Sequence, residues 1–266
     1  MTNIGNIAIV PQENSRAPTW RWVALLLALS QLAAPPIITR LFGDFLSTGA
    51  TNEALITPSG YVFSIWGLIT LLCAITCAAV VWRGLGAPWE VRALVDASIV
   101  FVGFSTWLVI AAQEWLWLTV AVFAVMAAAL TDIVRLLVRH TDDLTCPVWL
   151  RKLTTLTFGL YLGWASIAVF ANVAAALIDS GWSASGTGWQ ATVLVAAAAS
   201  AVALTATLRA TPGYVVAALW ALVAVAVGAA HRGSAGLAGL AGAAAAVIVV
   251  AAVIYVVAGR GRPLTT

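Results

Sequence analysis

Long apolar runs separated by short polar breaks organise this chain. Eight such runs lie at roughly 20–38, 60–82, 93–112, 115–138, 153–177, 189–208, 212–230 and 235–258. Each approaches the roughly 20 apolar residues that carry a helix across a bilayer. The pattern predicts an all-α, polytopic membrane bundle of about eight transmembrane helices. Pro35-Pro36 is expected to bend or end the first span. Gly86-Ala87-Pro88, Cys146-Pro147, Ser180 to Gly188, Thr211-Pro212-Gly213 and Arg232-Gly233 separate the others.

Composition agrees with the pattern. The 266 residues are 62% hydrophobic and 9% charged, with a mean hydropathy of +1.01. A soluble domain is nearer one quarter charged. The net charge of +3 is spread over separate short loops, so no nucleic-acid partner is expected. Residues 1–18 are polar and have no apolar core, so no cleavable signal peptide is expected. The three cysteines form no disulfide framework. Cys73 and Cys77 lie one turn apart within a span. Without His or acidic companions they read as small apolar filler, not as metal ligands.

The basic residues orient the spans. Arg16, Arg21, Arg83, Arg92, Arg135, Arg139, Arg151, Lys152, Arg209, Arg260 and Arg262 fall on one side of an eight-span arrangement. Only Arg40 and Arg232 fall on the other. Eleven against two puts both termini in the cytoplasm, in a bacterial-type cytoplasmic (inner) membrane. Cys146 then lies in a reducing compartment. The tryptophans sort the same way. Trp20, Trp22, Trp82, Trp89 and Trp149 belong to the inner interface, and Trp115, Trp117, Trp182 and Trp189 to the outer one. Trp66, Trp107, Trp164 and Trp220 remain deep.

Three of these converge in depth. At about 1.5 Å of rise per residue, Trp66 lies roughly 9 Å and Trp107 roughly 8 Å below the outer surface. Trp164 lies near the middle of span 5, with Ser166 and Asn172 toward its outer side. Pro58 and Tyr61 cap span 2 from above. The polar loop 40–58, with Arg40, Asp44, Thr51, Asn52 and Glu53, is long enough to cover the area. An aromatic, weakly polar cavity under a lid fits a flat, largely apolar ligand. Asn172 needs a partner, either another helix or the ligand, because an unpaired amide in hydrocarbon is costly. Helix packing is the competing reading for each tryptophan taken singly.

No catalytic set and no metal site stands out. His140 and His231 occupy loops on opposite sides, so axial haem ligation is not expected, and only weaker ligands such as Tyr61, Tyr161 or Cys73 are left for it. Asp96 and Asp132 lie near the inner interface. Arg92 precedes Asp96 by four residues and Arg135 follows Asp132 by three, which predicts local pairs along each helix. A proton relay is the alternative. Gly236, Gly239 and Gly242 give span 8 a small-residue stripe suited to close packing, against spans 1–5 or a second copy. Trp220 reads as core.

With the spans placed, the chain resembles the translocator protein family, also called tryptophan-rich sensory proteins or peripheral-type benzodiazepine receptors. Pro58, Val62, Phe63, Trp66 and Gly67 resemble the start of that family's second helix, with Trp66 one residue closer to the Phe. Val80-Val81-Trp82 resembles its Leu-Val-Trp ending. Tyr161-Leu162-Gly163-Trp164, Ala168 and Asn172 match its fifth helix in register. The third helix departs: polar positions of the family are apolar here around Val100 and Phe104, and only Trp107 fits. The Trp-Tyr and Lys-Pro loop motif is missing. Spans 6–8 are additional to the family's minimal five, as in a longer bacterial branch.

The resemblance implies a five-helix bundle at 20–178; the spans and the basic bias add a cytoplasmic tail at 1–19, a three-helix membrane module at 179–258 and a cytoplasmic tail at 259–266. It implies binding of porphyrins and other flat hydrophobic ligands, with sterols in some members. Trp66 and Trp164 correspond to the family's pocket tryptophans and Ala168 to its pocket alanine. Together with Pro58, Tyr61, Phe63, Trp107, Tyr161 and Asn172 they form the expected ligand-binding set. The expected role is binding, for sensing or transport, with no catalysis, no required cofactor and a porphyrin-type ligand. The expected partners are the bilayer, the ligand, and a second copy or membrane protein docked on small-residue helices. The alternatives are a secondary transporter of a small organic solute and an assembly subunit of a membrane complex.

Overall fold

The computed structural model describes residues 16–43 and 53–260. These fold into eight helices, with no strand among the described residues. They are α1 Ala17–Phe42, α2 Ile65–Arg83, α3 Glu90–Ala112, α4 Leu116–Arg139, α5 Val148–Asp179, α6 Thr187–Thr207, α7 Pro212–His231 and α8 Ala235–Arg260. All eight are long and apolar enough to cross a membrane. A 3-10 turn, Gly60–Ser64, leads into α2. Asp44, Thr51 and Asn52 of the expected lid lie outside the described residues.

The helix ends follow local chemistry. Pro18 sits in the first turn of α1, where a missing N–H costs no bond. Pro35 and Pro36 do not end α1, which runs on to Phe42. In hydrocarbon the flanking backbone has no water to turn to, so the chain stays helical across the two lost bonds. Pro147 caps α5, which continues for 32 residues, well beyond the length needed to span. Gly84 stops α2 at φ 70°, a left-handed conformation natural to glycine. A Cβ there would overlap the Arg21 guanidinium.

The first five helices close a ring in the packing order α2, α1, α3, α4, α5 and back to α2. Lipid is as apolar as leucine, so close packing and interhelical hydrogen bonds hold such a ring. Gln31 Nε2 on α1 donates to Tyr161 Oη on α5 at 2.9 Å, and the Thr76 and Thr157 hydroxyls meet at 2.8 Å between α2 and α5. At the end of the ring where α2 gives way to α3, buried Glu90 accepts from Arg21 Nε and from the backbone N–H groups of Leu85 and Gly86.

The remaining helices are built onto α5. α7 lies along it through glycines: a Cβ on Gly163 or Gly213 would overlap facing backbone, and one on Gly159 would crowd it. α8 packs on α6 and α7 through Leu237, Ala241, Ala244 and Ile248. The stripe of Gly236, Gly239 and Gly242 lies on its other, exposed side, with open space among the described residues around each Cβ position. Within the single chain the close approach of helix backbones is made at the α5 and α7 glycines.

Two further expectations are corrected. Trp220 is not core: it is 39% exposed, meets the Tyr61 ring edge-on at 5.7 Å and directs its N–H at the Val62 carbonyl at 3.4 Å. Nor do the acids pair along their own helices. Arg92 on α3 binds Asp132 on α4 through two bonds of 2.7 Å. Adjacent helices offer a guanidinium the two-oxygen geometry that it prefers over a single contact along one helix.

Candidate ligand site

The aromatic side chains meet inside the ring. Trp66 from α2 stacks on Trp107 from α3 with centroids 5.7 Å apart, and meets Trp164 from α5 edge-on at 5.9 Å. Phe104, Phe123 and Tyr161 also surround Trp66, at 4.7, 6.4 and 5.6 Å. Four helices thus converge on one indole. Trp66, Trp107 and Trp164 are 8%, 6% and 3% exposed.

Beside this cluster lies a cavity of about 210 Å³. Trp66, Trp107 and Trp164 line it with Phe123 from α4. The exposed-to-buried face of α5 supplies Ile167, Ala168, Ala171, Asn172 and Ala175, and α7 supplies Ala221. Thr57, Pro58 and Phe63 complete it from the α1–α2 connection. The ring of Phe63 stands edge-on to Trp164 at 5.9 Å.

Of the nine residues singled out from the sequence, Pro58, Phe63, Trp66, Trp107, Trp164, Ala168 and Asn172 line the cavity. Tyr61 and Tyr161 do not. The 3-10 turn sends Val62 inward and Phe63 over the cavity, and leaves Tyr61 half-exposed against Trp220. Tyr161 lies behind Trp66 in the core, tied to Gln31. Asn172 bonds neither to another helix nor across the cavity through its N–H: its Nδ2 donates to the Ala168 carbonyl of its own helix at 2.8 Å. Ser166 turns away, toward Tyr214 on α7.

The sequence reading missed Thr57, Phe123, Ile167, Ala171, Ala175 and Ala221. The α5 residues were findable, because positions 164, 167, 168, 171, 172 and 175 recur on one helix face. Ala221 carries no local signal, since an alanine in an alanine-rich helix is uninformative.

Polarity is distributed unevenly. The indole Nε1 atoms of Trp66, Trp107 and Trp164 are all buried without a hydrogen-bond partner among the described residues. Each such donor costs about 1–3 kcal/mol when left unmade. A second space of about 520 Å³ adjoins the cavity and shares Thr57 and Ala175 with it. Its rim carries Glu53, Glu114 and Asp179.

The segment over the cavity is fastened to the C-terminal helices. Arg232 Nη2 bonds Glu53 and its Nη1 bonds the Thr57 carbonyl, both at 2.6 Å. Ser59 N donates to the Ala224 carbonyl of α7 at 3.2 Å. The Ile56 N–H donates to Gln190 on α6 at 3.2 Å.

No curated protein and no solved structure matches this chain. The family profile described as TSPO-like protein matches residues 13–256, which takes in α1 to α7 and most of α8. A match over that much of the sequence settles its kinship: the chain is a membrane protein of the TSPO-like family.

Proposed function

We propose that this protein binds a flat, largely apolar ligand in the cavity walled by Trp66, Trp107 and Trp164. The observation that carries the reading is a cavity walled by three tryptophans that α2, α3 and α5 bring together, with Phe63 and Phe123 beside them. Broad aromatic walls of this kind favour a flat ring system by offset stacking and edge-on contact. The cavity of about 210 Å³ is small beside the roughly 300–1,000 Å³ of common ligand pockets. It favours a ligand of a few fused rings. A porphyrin or a sterol requires the adjoining space as well. The role is binding, for sensing or transport, with no catalytic step and no required cofactor. The basic bias among the loops supports a cytoplasmic-membrane location with both termini inside.

Tryptophan-fluorescence titration with protoporphyrin and with coumarin tests this. Saturable quenching is expected with at least one of them. Trp66→Phe and Trp164→Phe, which shrink the aromatic wall, should each raise Kd about tenfold. Unchanged affinity in both folded variants overturns the reading, as does the absence of saturable quenching.

A second reading, transport of a small organic solute, has its own observation. One carboxylate oxygen of Asp96, inside α3, is buried without a partner among the described residues, and embedded acids mark ion paths. Uptake into proteoliposomes that falls in Asp96→Asn supports it. Uptake indifferent to that change removes Asp96 from any transport path.

A further inference from the structure

We infer that the protein binds an anionic phospholipid in a second cavity, between α4, α5 and the start of α7, with the lipid phosphate on Arg151 and Lys152. This cavity lies at the opposite end of α7 from Arg232 and the segment 53–59, so the inference is independent of the aromatic site.

The cavity measures about 530 Å³ and joins charge to hydrocarbon. Along α5, Arg151 and Lys152 come first, and Thr155 and Leu156 follow one turn, about 6 Å, further into the span. Leu137 and Val138 of α4 and Pro212 of α7 extend the apolar wall. Leu156 is 43% exposed, which leaves that wall accessible from the side of the bundle.

The charge is uncompensated. Arg151 and Lys152 make no hydrogen bond or ion pair with any described residue. No acid is among the described residues that line the cavity. At its edge Arg209 Nη1 donates to the Val138 carbonyl at 3.4 Å and Arg139 Nη2 to the Thr207 carbonyl at 3.5 Å, contacts that neutralise neither cation. Asp142 and Asp143 follow the lining residue Thr141, and Asp143 is engaged by Trp89 and His140. Four cations against these two carboxylates leave an excess of two positive charges. α7 also starts on this wall with no side-chain cap, and the positive end of its dipole adds to the field.

A soluble anion would use the charge and leave the apolar wall to itself. A neutral lipid would do the reverse. An anionic phospholipid uses both, with its phosphate at the level of Arg151 and Lys152 and an acyl chain along Leu156 and Pro212. Arg151 can bind two phosphate oxygens at once, and Lys152 adds a point charge. On the orientation that the basic bias supports, this is the cytoplasmic end, where basic pockets between spans receive anionic headgroups.

Native mass spectrometry of the full chain in nonionic detergent tests the inference, by titration with dioleoylphosphatidylglycerol and with dioleoylphosphatidylcholine. The phosphatidylglycerol is expected to bind about tenfold more tightly at low salt. That ratio should fall toward one in Arg151→Gln/Lys152→Gln. It should persist in Arg16→Gln/Arg83→Gln, which removes the same charge from other inner helix ends. Equal affinity for the two lipids overturns the inference. So does a preference that survives in the first variant, or one lost equally in both, which would reflect the general field alone. Calorimetric titration with inorganic phosphate should show no saturable binding. Saturable phosphate binding that disappears in Arg151→Gln/Lys152→Gln would assign the site to a free anion and overturn the lipid.

Discussion

Trp66 is the residue on which most of the interior turns. Five rings from α3, α4 and α5 surround it, so its position is set by three other helices. That it meets Trp107 and Trp164 was nonetheless readable from the sequence, because rise per residue brings the three to similar levels along their helices. The direction of its neighbours was not. Tyr61 and Phe63 are two residues apart, and the 3-10 turn decides that one faces Trp220 and the other the cavity. Glu90 was passed over altogether. Its carboxylate is buried and takes three donors, so Glu90→Gln should cost about 3 kcal/mol by leaving Arg21 without its counter-charge. Thermal unfolding in detergent measures this, and an unchanged Tm would show the cluster to be dispensable.

Among the elements, α5 does the most. One face meets the aromatic ring, another lines the cavity, and a third packs on α7. That third face depends on Gly163, where a Cβ would overlap the Tyr214 carbonyl. Gly163→Ala is expected to destabilise by about 1–3 kcal/mol through overpacking. Gly239→Ala on the exposed stripe of α8, with open space around it, should leave the Tm of the isolated chain unchanged or slightly raised. Equal effects at the two sites would contradict the packing described. The sequence pointed to the α8 glycines because they are regularly spaced. Spacing marks a face that permits close approach, and the partner decides whether the approach is made.

In the molecule as a whole, the C-terminal helices are more than an appendage. α6 and α7 hold segment 53–59 over the cavity through Gln190, Ala224 and Arg232, and α7 contributes Ala221 to the wall. Arg232→Ala removes two bonds to that segment. Amide hydrogen exchange across 53–59 should then speed up severalfold, with the interiors of α2 and α5 unaltered. Exchange that stays slow would mean that the backbone bond from Ser59 and the Gln190 bond suffice.

The sequence by itself determined the membrane class, the eight spans, the family and the meeting of three tryptophans. Each of these follows from one-dimensional quantities: run length, charge bias, motif register and rise per residue. Tertiary structure decided which faces those residues present and what they meet. It paired Arg92 with Asp132 across helices, closed Asn172 onto its own helix and carried α1 through two prolines. It also left three indole donors without acceptors beside an acidic space. Such outcomes depend on how neighbouring helices rotate and pack against one another, and in a chain this rich in alanine, valine and leucine the local pattern constrains that rotation weakly.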